Sequence, residues 1–182
     1  FPAEGLKVPI WILGSSMDSA ALAAAYGLPY AFAGHFAPKL MVQAFEFYRE
    51  NFQASEYLDK PKTMACVNII AADTNEEAEL LSTSLYQMFL NLIRNDRKGL
   101  QPPVPSLDDI MNEQERFHVN QMTAGTFTGN KEQLKTDLKK FIDYTRIDEL
   151  MVTSPIFNHQ AKLKSIQITK EAIDSLNESI HI

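Results

Sequence analysis

The sequence is poor in the residues that build covalent or metal cross-links. A single cysteine, Cys66, stands among 182 residues. That excludes an internal disulfide and a cysteine-based zinc site, and makes a reducing cytoplasm the expected compartment. The four histidines show no H-E-x-x-H or similar ligand spacing, so no metal is expected. Basic residues are also in deficit. Seventeen Lys and Arg against 23 Asp and Glu leave a net charge of −6, so neither nucleic acid nor an anionic membrane surface is expected as partner. Long apolar runs are missing too. The charge-free stretch from Ser19 to Pro38 is interrupted by Gly27 and Pro29 and dominated by small Ala, unlike the roughly 20 strongly apolar residues of a membrane span. There is no Walker P-loop, no G-x-G-x-x-G and no G-x-S-x-G nucleophile elbow.

What remains is the composition of a folded domain, with 45% apolar and 22% charged residues, which excludes disordered, coiled-coil and collagen-like classes. The chain opens on Phe1-Pro2-Ala3-Glu4-Gly5, without an initiator Met or a basic-then-apolar leader. It is therefore expected to lie inside a longer parent or to follow a cleavage. Short apolar runs then alternate with amphipathic ones. Val8 to Leu13 reads as a strand buried on both faces, and an Ala-rich helix follows from Ala20 to Tyr26, capped by Asp18 or Ser19 and stopped by Gly27. Leu28 to Ala33 is a second strand, and the helix after Pro38 places Met41, Phe45, Tyr48 and Phe52 on one face. Met64 to Ala72 has the near-continuous apolar character of a central parallel strand. Thr74 opens a helix with Leu81, Leu85, Met88, Phe89 and Leu92 on its stripe. An irregular insertion spans about 98–125, Asn130 caps a helix bearing Leu134, Leu138, Phe141 and Ile142, and Glu149 to Thr153 is the last strand before a helix from about His159 to Glu178. This is a single α/β domain over 1–182, with four β–α units, a parallel sheet, outer helices and one insertion. Either an open doubly wound sheet or a piece of a (β/α)8 barrel satisfies that pattern.

In both architectures ligands bind at the carboxyl ends of the strands. Gly14-Ser15-Ser16-Met17-Asp18-Ser19 runs from a strand into a helix start, where free amides and hydroxyls favour an anion; plain helix capping explains the same residues. His35 follows the second strand, where it could meet a ring or a substrate oxygen, although most lone histidines are simply packed. His159 could cap the helix it begins, and His118 and His181 lie in less suggestive places. Cys66 reads as a buried structural thiol.

Trp11-Ile12-Leu13-Gly14-Ser15-Ser16, Ser19-Ala20, Ala23-Ala24, Gly27 to Ala33 and His35-Phe36 together form a longer pattern. It resembles the bacterial luciferase-like family of flavin-dependent monooxygenases. Phe127-Thr128-Gly129-Asn130 and Asp148 to Ile156 are similar to that family's closing barrel unit. The resemblance implies a (β/α)8 barrel enzyme that takes reduced FMN from a flavin reductase, reacts it with O2 and oxidises a small organic, aldehyde-like substrate. It implies cofactor contacts at Gly14, Ser15, Ser16, Met17 and Ser19, with Ser16 and Ser19 on the phosphate. It also implies a flavin and substrate cavity at His35 and Phe36, with His35 a possible catalytic residue and Pro155 and His159 at the last strand's mouth. Luciferase proper carries Glu where this chain has Ser15, which points to the broader monooxygenase group.

A whole barrel takes roughly 250 residues, and the four units here resemble its C-terminal half. Half a barrel exposes two sheet edges and one apolar face, so the chain is expected to form a homo-oligomer or to pair with the other half. The alternatives are a non-catalytic flavin- or phosphate-binding half-barrel, or an oxidoreductase using the deazaflavin F420, which presents a phosphate to the same loop.

Overall fold

The computed structural model of the chain describes Gly5 and residues 8–180. The opening Phe1–Glu4 and His181, considered above, lie outside the described residues. Five strands and six helices follow one another as β1 (Ile12–Gly14), α1 (Met17–Tyr26), β2 (Tyr30–Phe32), a 3-10 turn (Pro38–Leu40), α2 (Met41–Asn51), β3 (Thr63–Ala71), α3 (Asn75–Ile93), α4 (Glu113–Thr123), β4 (Thr126–Gly129), α5 (Lys131–Thr145), β5 (Glu149–Thr153) and α6 (His159–Ile180). Every strand pairing is parallel.

The register fixes the layout. Thr63–Ala65 of β3 pair with β2, Asn68–Ala71 with β4, and Met64–Asn68 with β5. Met64 and Ala65 bond both β2 and β5, and Asn68 bonds both β4 and β5, so β2 and β4 share one edge of β3 end to end. β5 takes the other edge. The principal sheet is thus β1-β2-β3-β5, a four-strand arc left open at β1 and β5.

Alternation along β3 separates two faces. Ala65, Val67, Ile69 and Ala71 join a core built from Tyr30 and Phe32 with Ala20, Ala23 and Ala24 of α1, Phe45 and Tyr48 of α2, Leu134 and Leu138 of α5, and Ala172 and Leu176 of α6. These four helices form the outer layer. Cys66, Asn68 and Ile70 point to the opposite, inner face. Ile70 and Ala72 there begin a second core with Ala78, Leu81, Leu85, Phe89 and Leu90 of α3, Val119 of α4, Met111 and Ile156.

Four sequence expectations change. The Val8–Leu13 strand shrinks to Ile12–Gly14, and Val8, Ile10 and Leu13 are exposed, because an edge strand of an open arc has nothing over its inner face. The α1 cap is Ser16 rather than Asp18 or Ser19. The helix carrying Leu81 and Leu85 is not part of the outer layer; α5 holds that place, while α3 packs on α4, so Met88 and Leu92 lose their cover. The segment 98–125 also contains a regular helix, α4, so the excursion from the sheet runs from the end of β3 to β4.

Two devices seat this frame. Gly27 ends α1 in the left-handed region at φ 59°, and an added Cβ would stand 2.4 Å from Gln53 O. At the amino end of the sheet, Arg49 donates to Thr63 Oγ1 (3.1 Å), Thr145 O (2.8 Å) and Arg146 O (2.6 Å). Asp148 Oδ2 accepts from Thr63 N (2.7 Å) and Thr63 Oγ1 (2.9 Å). Among the described residues no helix is long and apolar enough to cross a membrane. Arg49→Ala strips charged donors from the end of α5 and is expected to lower unfolding free energy by about 2 kcal/mol, read as a shift of the urea midpoint.

Candidate active site at the carboxyl ends of the strands

The first loop is a reciprocal capping box. Ser16 sits at φ −135°, ψ 165° as the N-cap of α1. Ser19 N donates to Ser16 Oγ and Ser16 N donates to Ser19 Oγ, both at 3.4 Å. The Ser19 hydroxyl donates to Ser16 O at 2.7 Å and lies 3.0 Å from the Tyr30 hydroxyl, which also donates to Ser16 O at 3.3 Å. Burial pushes the Tyr30 phenol above its ordinary range, so it stays neutral in this network. Ser19 therefore spends its proton inside the loop, whereas exposed Ser16 keeps its own hydroxyl proton for an outside acceptor. The amides of Met17 and Asp18 have no intrahelical acceptor. Gly14 is explained by close approach, since a Cβ there would meet Ser19 Oγ at 2.2 Å and Ser19 Cβ at 2.3 Å.

The second loop is tied to the first, for Ala33 N donates to Gly14 O at 2.8 Å. His35 and Phe36 follow, their rings edge to face with centroids 5.2 Å apart. His35 is half-buried, and its Nδ1 is sealed from solvent without a hydrogen-bond partner. Burial pushes its imidazole below the ordinary range, so the ring is neutral at pH 7.

Ser15 and Phe36 both line a cleft of 660 Å³ between the start of α2, the end of α4 and α5. Its walls are mainly apolar, with Leu40, Met41, Phe127 and Phe141 belonging to or packing on the outer-layer core and Met122 from α4, and its polar members include Lys39, Gln121, Tyr144 and Thr145. Gly14, Ser16, Met17, Ser19 and His35 are not among its lining residues. At the third loop, Ser154 is buried and donates to Ile69 O at 2.8 Å. Pro155 is half-buried, His159 is exposed, and the cap of α6 is Asn158, whose Oδ1 accepts from Ala161 N at 3.0 Å. Neither Pro155 nor His159 lines the cleft. His118 is exposed, its Nδ1 2.8 Å from Gln114 O. Cys66 is buried, which pushes its thiol up and keeps it protonated. Among the described residues no group of His, Cys, Asp and Glu could hold a metal ion.

Sequence reasoning passed over Asn68. It is 3% exposed on the inner face of β3 and links the loop after β2 to the start of β4 and the end of β5. Its Nδ2 donates to His35 O at 2.5 Å and lies 3.5 Å from Thr126 Oγ1, while its Oδ1 accepts from Thr153 Oγ1 at 2.6 Å. The available signal was a lone amide inside an otherwise apolar strand, where an unbonded polar group is costly.

The profile of the luciferase-like monooxygenase family matches residues 1–145, and the chain belongs to that family. It is 43% identical over 175 residues to a luciferase-like monooxygenase of Escherichia coli strain K12, covering 96% of this chain and 52% of that protein. It is 47% identical over 167 residues to YvbT of Bacillus subtilis, covering 92% and 50%. The chain thus spans about half the length of the curated relatives it matches. Among solved structures it is similar to apo-MsnO8, at 26% identity and TM-score 0.73 over 90% of this chain and 50% of that one. An F420-dependent secondary alcohol dehydrogenase shares the fold at 14% identity and TM-score 0.58, over 94% and 49%. The open arc is accordingly a half-barrel of the luciferase-like fold.

Gly14→Ala forces Ser19 out of the capping box. It is expected to destabilise the chain by about 2 kcal/mol and, in proteolysis, to expose the 14–19 loop first.

Proposed function

We propose that this chain is the C-terminal half of a flavin-dependent monooxygenase that takes reduced FMN from a separate reductase and oxidises a small, aldehyde-like apolar substrate with O2. The observation that carries this reading is the Ser-rich start of α1 opening beside an apolar cleft in a member of this family. The donor set suits a phosphate monoester: the free proton of Ser16, the Ser15 hydroxyl and the Met17 amide stand at the positive end of α1. Exposed Asp18, in the first turn of α1, is an unfavourable neighbour. Reduced FMN, when bound, supplies the electrons that activate O2.

The chain's own residues divide the remaining work. Ser15, Ser16 and Met17 hold the phosphate, while Gly14 and Ser19 give the loop its shape. His35 and Phe36 flank the ring and the substrate. The excursion carrying α3 and α4 keeps water from the mouth of the site. It is stiffened by Arg94, which donates to both carboxylate oxygens of Glu115 at 2.7 and 2.8 Å and to Ile110 O at 2.9 Å.

Fluorescence titration tests the loop. Ser16→Ala is expected to weaken FMN binding about tenfold, the worth of one good hydrogen bond to a charged acceptor. Unchanged affinity would overturn the assignment, and titration with F420 in parallel separates the two cofactors. The open edges of β1 and β5, with Leu13 66% and Met151 51% exposed on the inner face, support pairing with a second copy or with the other half of the barrel. Light scattering at micromolar concentration is expected to show an assembly, and a monomer that binds no apolar dye would exclude it. The free, buried Cys66 supports a cytoplasmic setting.

A further inference from the structure

Asn68 is buried among apolar neighbours along β3, Val67, Ile69 and Ile70, where a polar side chain carries a desolvation cost unless it is bonded. Its amide makes sense through what it holds. The acceptor arm is anchored by Thr153 at the end of β5, and the donor arm grips His35 O just beyond the end of β2. In the loop held this way, the ring of His35 has one nitrogen enclosed. Nδ1 lies inside the protein with no partner, so a proton placed there would be buried and unbonded, which is unfavourable for a donor. Nε2 is left as the nitrogen through which this ring can meet a ligand.

We propose that Asn68 is a positioning residue that fixes His35 as a neutral imidazole with its proton on Nε2, poised to donate to an acceptor oxygen or nitrogen of the bound cofactor or substrate. The placement of the ring stands on the geometry of this chain; the identity of its acceptor rests on the flavin reading above. The lowered imidazole pKa agrees with it, because burial alone, with no charged neighbour among the described residues contributing, moves His35. A protonated ring would have to carry a second N–H into the enclosed side.

The test reads the imidazole directly. In the full chain, 15N chemical shifts of the histidine rings report which nitrogen carries the proton, and His35→Gln assigns the His35 signal. The wild type is expected to show a single Nε2–H tautomer that titrates below the ordinary imidazole range. Asn68→Ala and Thr153→Val release the loop, so the His35 shifts move towards a mixed tautomer and the titration moves up. Thr153→Ser keeps the hydroxyl and the wild-type signature. FMN, as the probe ligand, is expected to bind Asn68→Ala about tenfold more weakly. Should Asn68→Ala fail to fold, Thr153→Val carries the comparison. An unchanged His35 tautomer and titration in a folded Asn68→Ala or Thr153→Val chain would overturn the positioning role, whatever FMN does. If the tautomer shifts while FMN affinity stays the same, the positioning role stands and the flavin reading fails.

Discussion

β3 is longer than every strand beside it, and the carboxyl end of the fold follows from how its backbone groups are nonetheless paired. A buried strand must find a partner for each N–H and C=O along both edges. β3 has nine residues, against three in β2, four in β4 and five in β5. On one edge β2 runs out and β4 takes over. On the other edge β5 stops at Thr153, and side chains finish the ladder: Ser154 Oγ donates to Ile69 O, and Ser165 Oγ accepts from Ala71 N at 2.8 Å. The chain leaves β2 at the join between β2 and β4, and His35 stands there. Asn68 faces that join. The candidate site is therefore located by a mismatch in strand lengths, and its polar residues lie where the ladder changes hands.

The two ends of the sheet solve the same problem with different chemistry. At the amino end, a guanidinium and a carboxylate, Arg49 and Asp148, secure Thr63 and the close of α5. At the carboxyl end the buried pins are neutral, an amide, Asn68, and the hydroxyls of Ser154 and Ser165, joined by the half-buried Thr153 hydroxyl, while the charged pair there, Asp73 with Lys164, lies exposed. Neutral pins hold geometry without placing a buried charge beside the site. The Arg49 and Asp148 anchors and the candidate site thus lie at opposite ends of the half-barrel axis, the division found in barrels generally.

Much of this was legible in the sequence. The apolar run around Val67 announced the central strand, the Gly27 stop and the Asn130 cap fell where expected, and the last strand kept its bounds from Glu149 to Thr153. The elements that escaped share a physical reason. β1 was overestimated because Val8 and Ile10 have strand character, but an edge of an open arc gives them nothing to pack against. The stripe on α3 is a true amphipathic face, yet periodicity cannot say which partner it meets, and α4 rather than the outer layer meets it. Ser16, Ser19 and His35 stood out as residue types beside strand ends. Which hydroxyl stays free, and which nitrogen is enclosed, depends on Tyr30 and Asn68, remote in sequence and brought close only by the fold.

The excursion carrying α3 and α4 leaves the sheet after Ala71 and returns at Thr126, the register partner of Asn68 three residues earlier on β3. A long detour that returns beside the strand it left, within a few residues of its point of departure, closes its loop within the barrel wall's own geometry. The entropy of closure grows only slowly with loop length, and the detour's core shares no buried residue with the outer layer's core. Evolution can therefore lengthen, shorten or replace it as a graft on an unchanged wall. In the enzyme proposed above, the strand ends would keep the cofactor chemistry constant while the graft would vary what is admitted to the site.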